Sequence, residues 1–205
     1  MPTPAPDERL FAAVQDLARA TPWLHPAAVS FAVYGVTVFA GLALWALLAA
    51  RRGSDRALAA SGWVVLGTLL AVAVNQPLAA LVGEPRPYAT HPGALLLVPR
   101  TTDLSFPSDH ATMAGAMAVG LLVAAPRLGR WAVAAAVAMA FTRVYVGAHY
   151  PQDVVAGLLV GGLVSWVGWL LLRVPLTALT RWLRARPGLR RVFRPRPDVA
   201  PVSTA

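Results

Sequence analysis

Apolar residues fill this chain in runs long enough to cross a lipid layer, and polar residues gather at the ends of those runs. A membrane helix needs about 20 largely apolar residues to span a hydrocarbon layer of about 30 Å. Five stretches reach or approach that length: 27–50, 57–82, 111–125, 131–146 and 154–172. The third and fourth are short alone and reach spanning length only by extending into polar sequence. That is tolerated where the polar end faces protein or water. Gly115, Gly120, Gly157, Gly161 and Gly162 punctuate the last three runs, and small residues let membrane helices pack closely. Ahead of the first run, Leu10, Phe11, Val14, Leu17 and Ala18 recur at helical spacing, opposite Arg9, Asp16 and Arg19. This predicts a short amphipathic helix at the membrane interface, with a protein-packed helix as the alternative. The expected fold is all-α: a polytopic membrane helical bundle of about five spans.

Composition agrees with that picture. The 205 residues are 57% hydrophobic and only 13% charged, where a soluble domain carries about 25% charged residues. Mean hydropathy is +0.58. Cysteine is absent, so neither disulfides nor thiolate metal sites arise, and redox compartment is not legible. Residues 1–24 lack a charged segment leading straight into an apolar core, so no cleavable signal peptide is expected.

Charge then gives the runs an orientation. The net charge of +9 comes from Arg alone, with no Lys. No stacking platform or soluble basic domain accompanies it, so nucleic acid is not an expected partner. Arg51, Arg52 and Arg56 lie between the first two runs, and Arg127 and Arg130 between the third and fourth. Arg173 and seven more follow the fifth, so thirteen of eighteen Arg share one side. That side should be cytoplasmic. Residues 1–175 then form the membrane domain, and residues 176–205 a basic, Pro-rich cytoplasmic tail, expected to be largely disordered.

Three polar blocks fall on the other side: Glu84-Pro85-Arg86-Pro87, Ser105-Phe106-Pro107-Ser108-Asp109-His110, and Arg143 followed by His149 and Asp153. In the third, Pro151 suits the first turn of a helix, which sets His149 just before that helix and Asp153 in its first turn. A carboxylate there can reach back and fix the imidazole. Arg143 ends an apolar run, a costly position for a cation and by default a functional one. The plainer alternative is a structural Arg143–Asp153 ion pair beside an interfacial His149. In the second block Ser108 is a natural N-cap, and a helix N-terminus binds phosphate readily. His110 is then placed to protonate a leaving oxygen, unless it merely accompanies an ordinary cap. In the first block two prolines stiffen the chain around Arg86, whose guanidinium can grip two phosphoryl oxygens, or it is a loop Arg without a task. Together the blocks hold what phosphoryl transfer through a phosphohistidine needs: nucleophile, orienting carboxylate, proton donor and cations.

The order Arg-Pro, then Pro-Ser-x-His, then Arg-x5-His-x3-Asp resembles the tripartite signature of the type 2 phosphatidic acid phosphatase (PAP2) superfamily. Glu84-Pro85-Arg86-Pro87, the downstream His91, and Asp109 in Ser-Phe-Pro-Ser-Asp-His look like its bacitracin-resistance type of undecaprenyl-diphosphate phosphatase. The resemblance implies a multi-pass bacterial inner-membrane enzyme acting without metal or other cofactor on a polyprenyl-diphosphate lipid. It implies His149 as nucleophile, Asp153 as its partner and His110 as general acid, with Arg86, Ser108, Asp109 and Arg143 around the phosphate. Glu84 and His91 are accessory candidates, Glu84 to orient Arg86 or take a proton, His91 to touch a second phosphate or to be an ordinary loop residue. One position departs from the pattern: the superfamily's Lys, seven residues before Arg86, is Ala79 here. Other lipid phosphates are alternative substrates, and a non-catalytic lipid-phosphate binder is the rival from a different class. Oligomeric state is not legible.

Overall fold

Capping chemistry sets where the helices begin and end. The computed structural model describes residues 6–187, and every regular element among them is helical. The order is α1 (Pro6–Ala20), α2 (His25–Tyr34), α3 (Val36–Ala50), α4 (Asp55–Val82), the single turn α5 (Pro87–Thr90), α6 (Asp109–Ala124), α7 (Pro126–Tyr145) and α8 (Pro151–Ala185). Ser54 caps α4 by accepting the Ala57 N–H at 3.2 Å, and Gly83 ends it in the left-handed region (φ 67°), donating to the Ala79 carbonyl. Only glycine adopts that φ without strain. Pro126 and Pro151 open α7 and α8, where their missing N–H costs nothing.

All five apolar runs are helix, but not all as single spans. By length and composition α4 and α8 can each cross a membrane, and α2 with α3 makes a third if that bent pair is one span. The pair bends by 52° at Gly35, where a Cβ would lie 2.7 Å from the Met139 methyl. Both halves of that run are apolar, so hydropathy alone did not register the break. α6 has 16 residues, and α7 carries Arg127, Arg130 and Arg143 along its 20. Leu44, Trp45, Leu69, Leu159, Leu163 and Leu171 are exposed, an apolar exterior that suits lipid rather than water.

The helix before the first run also forms, and it packs on α7 and α8. Phe11, Gln15 and Ala18 are its buried residues, while Leu10 and Leu17 are exposed. At the other end the last helix runs past residue 175, where the membrane domain was expected to give way to the tail. α8 continues through Pro175 to Ala185, because Arg184 anchors its last turn. Arg184 donates to the Gly53 carbonyl (2.8 Å) and the Arg51 carbonyl (3.1 Å) and pairs with Asp55 at 2.9 Å. The rest of the expected tail, residues 188–205, lies outside the described residues.

α6 occupies the centre and packs closely on α8, α7 and α4. Glycines set the closest approach. A Cβ on Gly161 would sit 2.0 Å from the Thr112 carbonyl oxygen, one on Gly157 2.6 Å from that of Ser108, and one on Gly115 2.4 Å from that of Leu158. Trp63 locks α4 to α8 by donating its indole N–H to the Ser165 carbonyl at 2.9 Å. Since the Gly161 obstruction is backbone, Gly161→Ala should part α6 from α8 and cost about 1–3 kcal/mol, the usual range for overpacking. Gly41→Ala, with nothing within 4 Å of the new methyl, should not destabilise. Thermal unfolding in detergent measures both, and equal stability of the two variants would contradict this packing.

Candidate functional site

The loop 83–108 and the link 146–150 fold onto one another at the starts of α6 and α8. Gly147 has φ 77°, and a side chain there would meet the Leu95 carbonyl oxygen at 2.2 Å, so only glycine lets the link press against this loop. Leu97 N–H donates to the Val146 carbonyl, Ser105 N–H to the Glu84 carbonyl, and Ser108 N–H to the Asp153 carbonyl. These bonds draw the three blocks into one cluster.

His149 is almost wholly enclosed, 1% exposed, and its two ring nitrogens face opposite kinds of partner. Nδ1 lies 2.9 Å from the Ser105 carbonyl oxygen, which can only accept. Nε2 lies 3.1 Å from Arg86 Nη1, which can only donate. The partners therefore dictate the neutral tautomer, with the proton on Nδ1 and a bare lone pair on Nε2. Asp153, fully buried, stands 3.5 Å from Nδ1. Its Oδ2 accepts from the Ser105 hydroxyl at 2.5 Å and from the Tyr150 N–H at 2.8 Å. The Ser105 hydroxyl thus bridges the His149 and Asp153 neighbourhoods, a role that the sequence reading did not give it although it stands inside the second block.

Arg86 is fixed on three sides. Its Nη2 pairs with Asp103 at 2.6 Å, Nε donates to the Asp103 carbonyl at 3.2 Å, and Nη1 also donates to the Ala148 carbonyl at 3.0 Å. Asp103, not Glu84, orients Arg86. Arg143 donates from Nη1 to the Ala32 carbonyl at 3.2 Å, and its buried Nε has no partner among the described residues. The Arg143–Asp153 ion pair weighed as the plainer alternative does not form. Arg86, Arg143 and His110 instead line one cavity of about 240 Å3, with Tyr88, Thr101 and Asp103. Among the described residues no hydrogen bond occupies the His110 ring.

Other candidates stand apart. Ser108 is fully buried and caps α6, accepting from Ala111 N–H at 3.5 Å. Asp109 turns to α4, accepting from Asn75 (2.7 Å) and Gln76 (3.0 Å). Its carboxylate, expected near the phosphate, is held by two amides, and a carboxylate repels an anion. Glu84 and His91 line a separate cavity of about 340 Å3 with Asp7, Tyr150 and Gln152. There Glu84 accepts from Gln152 at 2.9 Å, and His91 Nδ1 meets the Tyr150 hydroxyl at 2.9 Å. Among the described residues no group of three or more His, Asp or Glu is arranged to hold a metal ion.

Burial pushes the His149 imidazole well below its ordinary pKa of 6.5, and the Arg143 and Arg86 cations push it further. Asp103 feels burial upward, but its hydrogen bond with Thr101 and the Arg86 charge hold it below the usual carboxylate range. In the second cavity burial raises Glu84, as does repulsion from Asp153. The arrangement is a neutral imidazole with its lone pair beside two guanidinium groups, a combination suited to an anionic phosphoryl group.

A family model described as the PAP2 superfamily matches residues 60–175. The undecaprenyl-diphosphatase of Sulfolobus acidocaldarius is 32% identical over 128 residues, 60% of this chain and 60% of that protein. The undecaprenyl-diphosphatase BcrC of Bacillus subtilis is 34% identical over 94 residues, 46% of this chain and 48% of its own length. The chain thus spans about half to three-fifths of these two relatives. The lipid A 1-phosphatase of Rhizobium etli is 34% identical over 173 residues, 80% of this chain and 68% of that one. The crystal structure of LpxE from Aquifex aeolicus superposes with a TM-score of 0.63 and 23% identity, over 80% of this chain and 94% of its own, a likeness of fold.

The tautomer argument makes a titration forecast. A free His takes up a proton near pH 6.5, whereas His149 with its lowered pKa should stay neutral until the pH is well below that. The unfolded chain then binds the proton first, so this group's effect on stability is nil above about pH 6.5 and increasingly unfavourable as pH falls below it. Arg143→Gln removes a cation and should move the His149 midpoint upward. Ring 15N shifts of the labelled protein measure both, and a wild-type midpoint at or above 6.5 would contradict the geometry.

Proposed function

The chain belongs to the PAP2 superfamily, and we propose that it hydrolyses undecaprenyl or another long polyprenyl diphosphate to the monophosphate and phosphate. The observation that supports this most directly is His149 itself, held neutral with Nε2 unprotonated beside Arg86 and next to the cavity of Arg143 and His110. The named activity of the two undecaprenyl-diphosphatase relatives supports the substrate. A second reading, another lipid phosphate, is favoured by the resemblance to a lipid A 1-phosphatase over most of the chain.

In the proposed reaction the terminal phosphoryl group enters the cavity and its oxygens take over the Arg86 and Arg143 N–H groups. Arg86 Nη1 then leaves the Nε2 lone pair, which attacks phosphorus in line with the bridging oxygen. The P–O bond to the lipid monophosphate breaks as the N–P bond forms, and His110, which takes up a proton from solvent as the anionic headgroup enters beside it, gives that proton to the departing oxygen. The phosphorylated ring is positively charged, and Asp153, fully buried beside Nδ1, offsets that charge as Ser105 keeps both groups in register. Water next attacks phosphorus, His110 takes its proton, and phosphate leaves with His149 restored. The cations and imidazole supply this chemistry without a metal ion. The site lies at the extracytoplasmic face, with the basic helix ends in the cytoplasm, so the polyprenyl tail stays in the bilayer while the headgroup reaches the cavity.

His149→Ala should abolish phosphate release from undecaprenyl diphosphate, and turnover within a few-fold of wild type would end the phosphohistidine proposal. Ser105→Ala retains nucleophile and carboxylate, so it should lower kcat about 10-fold with little change in KM. That loss is of the size expected when one positioning hydrogen bond of about 1.5 kcal/mol is removed. Rates for undecaprenyl diphosphate, phosphatidic acid and lipid A, each with and without chelator, test the substrate and the metal-free chemistry separately. Faster turnover of either other lipid would replace the substrate assignment alone, and loss of activity with chelator would overturn the metal-free step.

A further inference from the structure

A second basic cavity lies at the far end of the bundle from His149. It has a volume of about 420 Å3 and is lined by Arg56 in the first turn of α4 and by Arg173, Val174, Thr177, Ala178 and Arg181 of α8. Arg173, Thr177 and Arg181 are four residues apart and so share one face of α8. α4 has 28 residues, and at about 1.5 Å each it holds Arg56 roughly 40 Å from its opposite end, beside the catalytic blocks.

The charges in this cavity are not neutralised from within. Asp55 is engaged by Arg184 at 2.9 Å and more loosely by exposed Arg181 at 3.4 Å. The guanidinium groups of Arg56 and Arg173 have no hydrogen-bond or ion-pair partner among the described residues, and both residues are exposed. Two cations converging on a cavity without a carboxylate raise each other's energy unless an anion joins them. The level of the cavity narrows the choice of anion. Leu170, Leu171 and Val174 on α8 are exposed, so the lipid-facing surface of the helix gives way to arginine within one turn. An anion here sits where the headgroups of the leaflet are, with acyl chains able to lie along Leu171 and Val174.

We infer that this cavity binds the phosphodiester headgroup of an anionic phospholipid, held by Arg56 and Arg173 with Arg181 at its edge. The guanidinium groups supply paired donors to phosphate oxygens, and a ligand bound only to the folded bundle stabilises it by mass action. The site is separate from the phosphatase centre and stands whether or not the proposed substrate is right.

The test uses the purified full-length protein in neutral detergent, with unfolding temperature followed by tryptophan fluorescence. Dioleoyl phosphatidylglycerol, dioleoyl phosphatidylcholine and inorganic phosphate are titrated in turn against wild type and R56Q/R173Q. Phosphatidylglycerol should raise the wild-type Tm saturably, and the double variant should need at least about five times more lipid for the same rise. Its lipid-free Tm and its phosphate release should match wild type. Phosphatidylcholine should give no rise that the variant loses. The single variant R173Q, at an exposed position on α8, gives the same comparison if the double variant does not fold. An unchanged midpoint in the variant overturns the site. A rise with inorganic phosphate that the variant also loses overturns the lipid, making free phosphate the ligand.

Discussion

The site depends on how closely the start of α6 lies against the start of α8. Gly157 and Gly161 give α8 no side chain where the carbonyls of Ser108 and Thr112 approach, and the Ser108 N–H closes the contact on the Asp153 carbonyl. That single approach sets His110, on one helix, across from His149 and Asp153 at the head of the other. It also buries Asp153 completely, and a carboxylate so enclosed acts on its neighbours through a low dielectric rather than through water. With a methyl at either glycine the helices would have to part, and His110 would shift relative to His149 and Asp153. Packing and chemistry are here one constraint.

Enclosure alone would leave a buried carboxylate and two buried guanidinium groups in an unfavourable arrangement. Direct pairing of Arg143 with Asp153 would neutralise both. The chain avoids it by giving each ion a neutral or peripheral partner. Arg143 takes the Ala32 carbonyl, Asp153 takes Ser105 and the Tyr150 N–H, and Arg86 takes Asp103, whose side chain is 56% exposed. The inner cavity is left electropositive, with a neutral imidazole at its wall. An anion entering the cavity would complete a charge balance that the free protein leaves open. The missing superfamily Lys falls at Ala79, half-buried near the end of α4. Two guanidinium groups, rather than a fuller set of cations, face a cavity of this size.

Much of this was legible in the sequence, for identifiable reasons. Apolar runs and Arg placement mark helices and their ends because lipid tolerates no unpaired backbone. The tripartite spacing marks His110, His149, Asp153, Arg86 and Arg143, and the structure brings all five to one region. Five things were not legible. The bend at Gly35 lies inside a run that is apolar on both sides. Asp103 as the partner of Arg86, and Ser105 as the bridge to Asp153, are long-range contacts made by a loop without periodicity. Asp109 looked like part of the anion site because it adjoins His110, yet successive residues on a helix point about 100° apart, and Asn75 and Gln76 were waiting on the other side. The extension of α8 past Pro175 was hidden because an isolated proline reads as an end, while the anchoring contacts of Arg184 lie more than a hundred residues away in sequence.

That last contact has a counterpart at the other end of the same helix. Arg184 ties the last turn of α8 to the α3–α4 turn, just as Ser108 ties the start of α6 to the start of α8. α8 is therefore fixed at both extremities, and its 35 residues, about 50 Å of helix, exceed the roughly 30 Å of a hydrocarbon layer. The excess must project beyond the layer on at least one side. Arg173 and Arg181 occupy one such end and Asp153 the other. A helix pinned at both ends has little freedom to slide, so the positions of its basic end and of the His149 cluster along the bundle are fixed relative to one another.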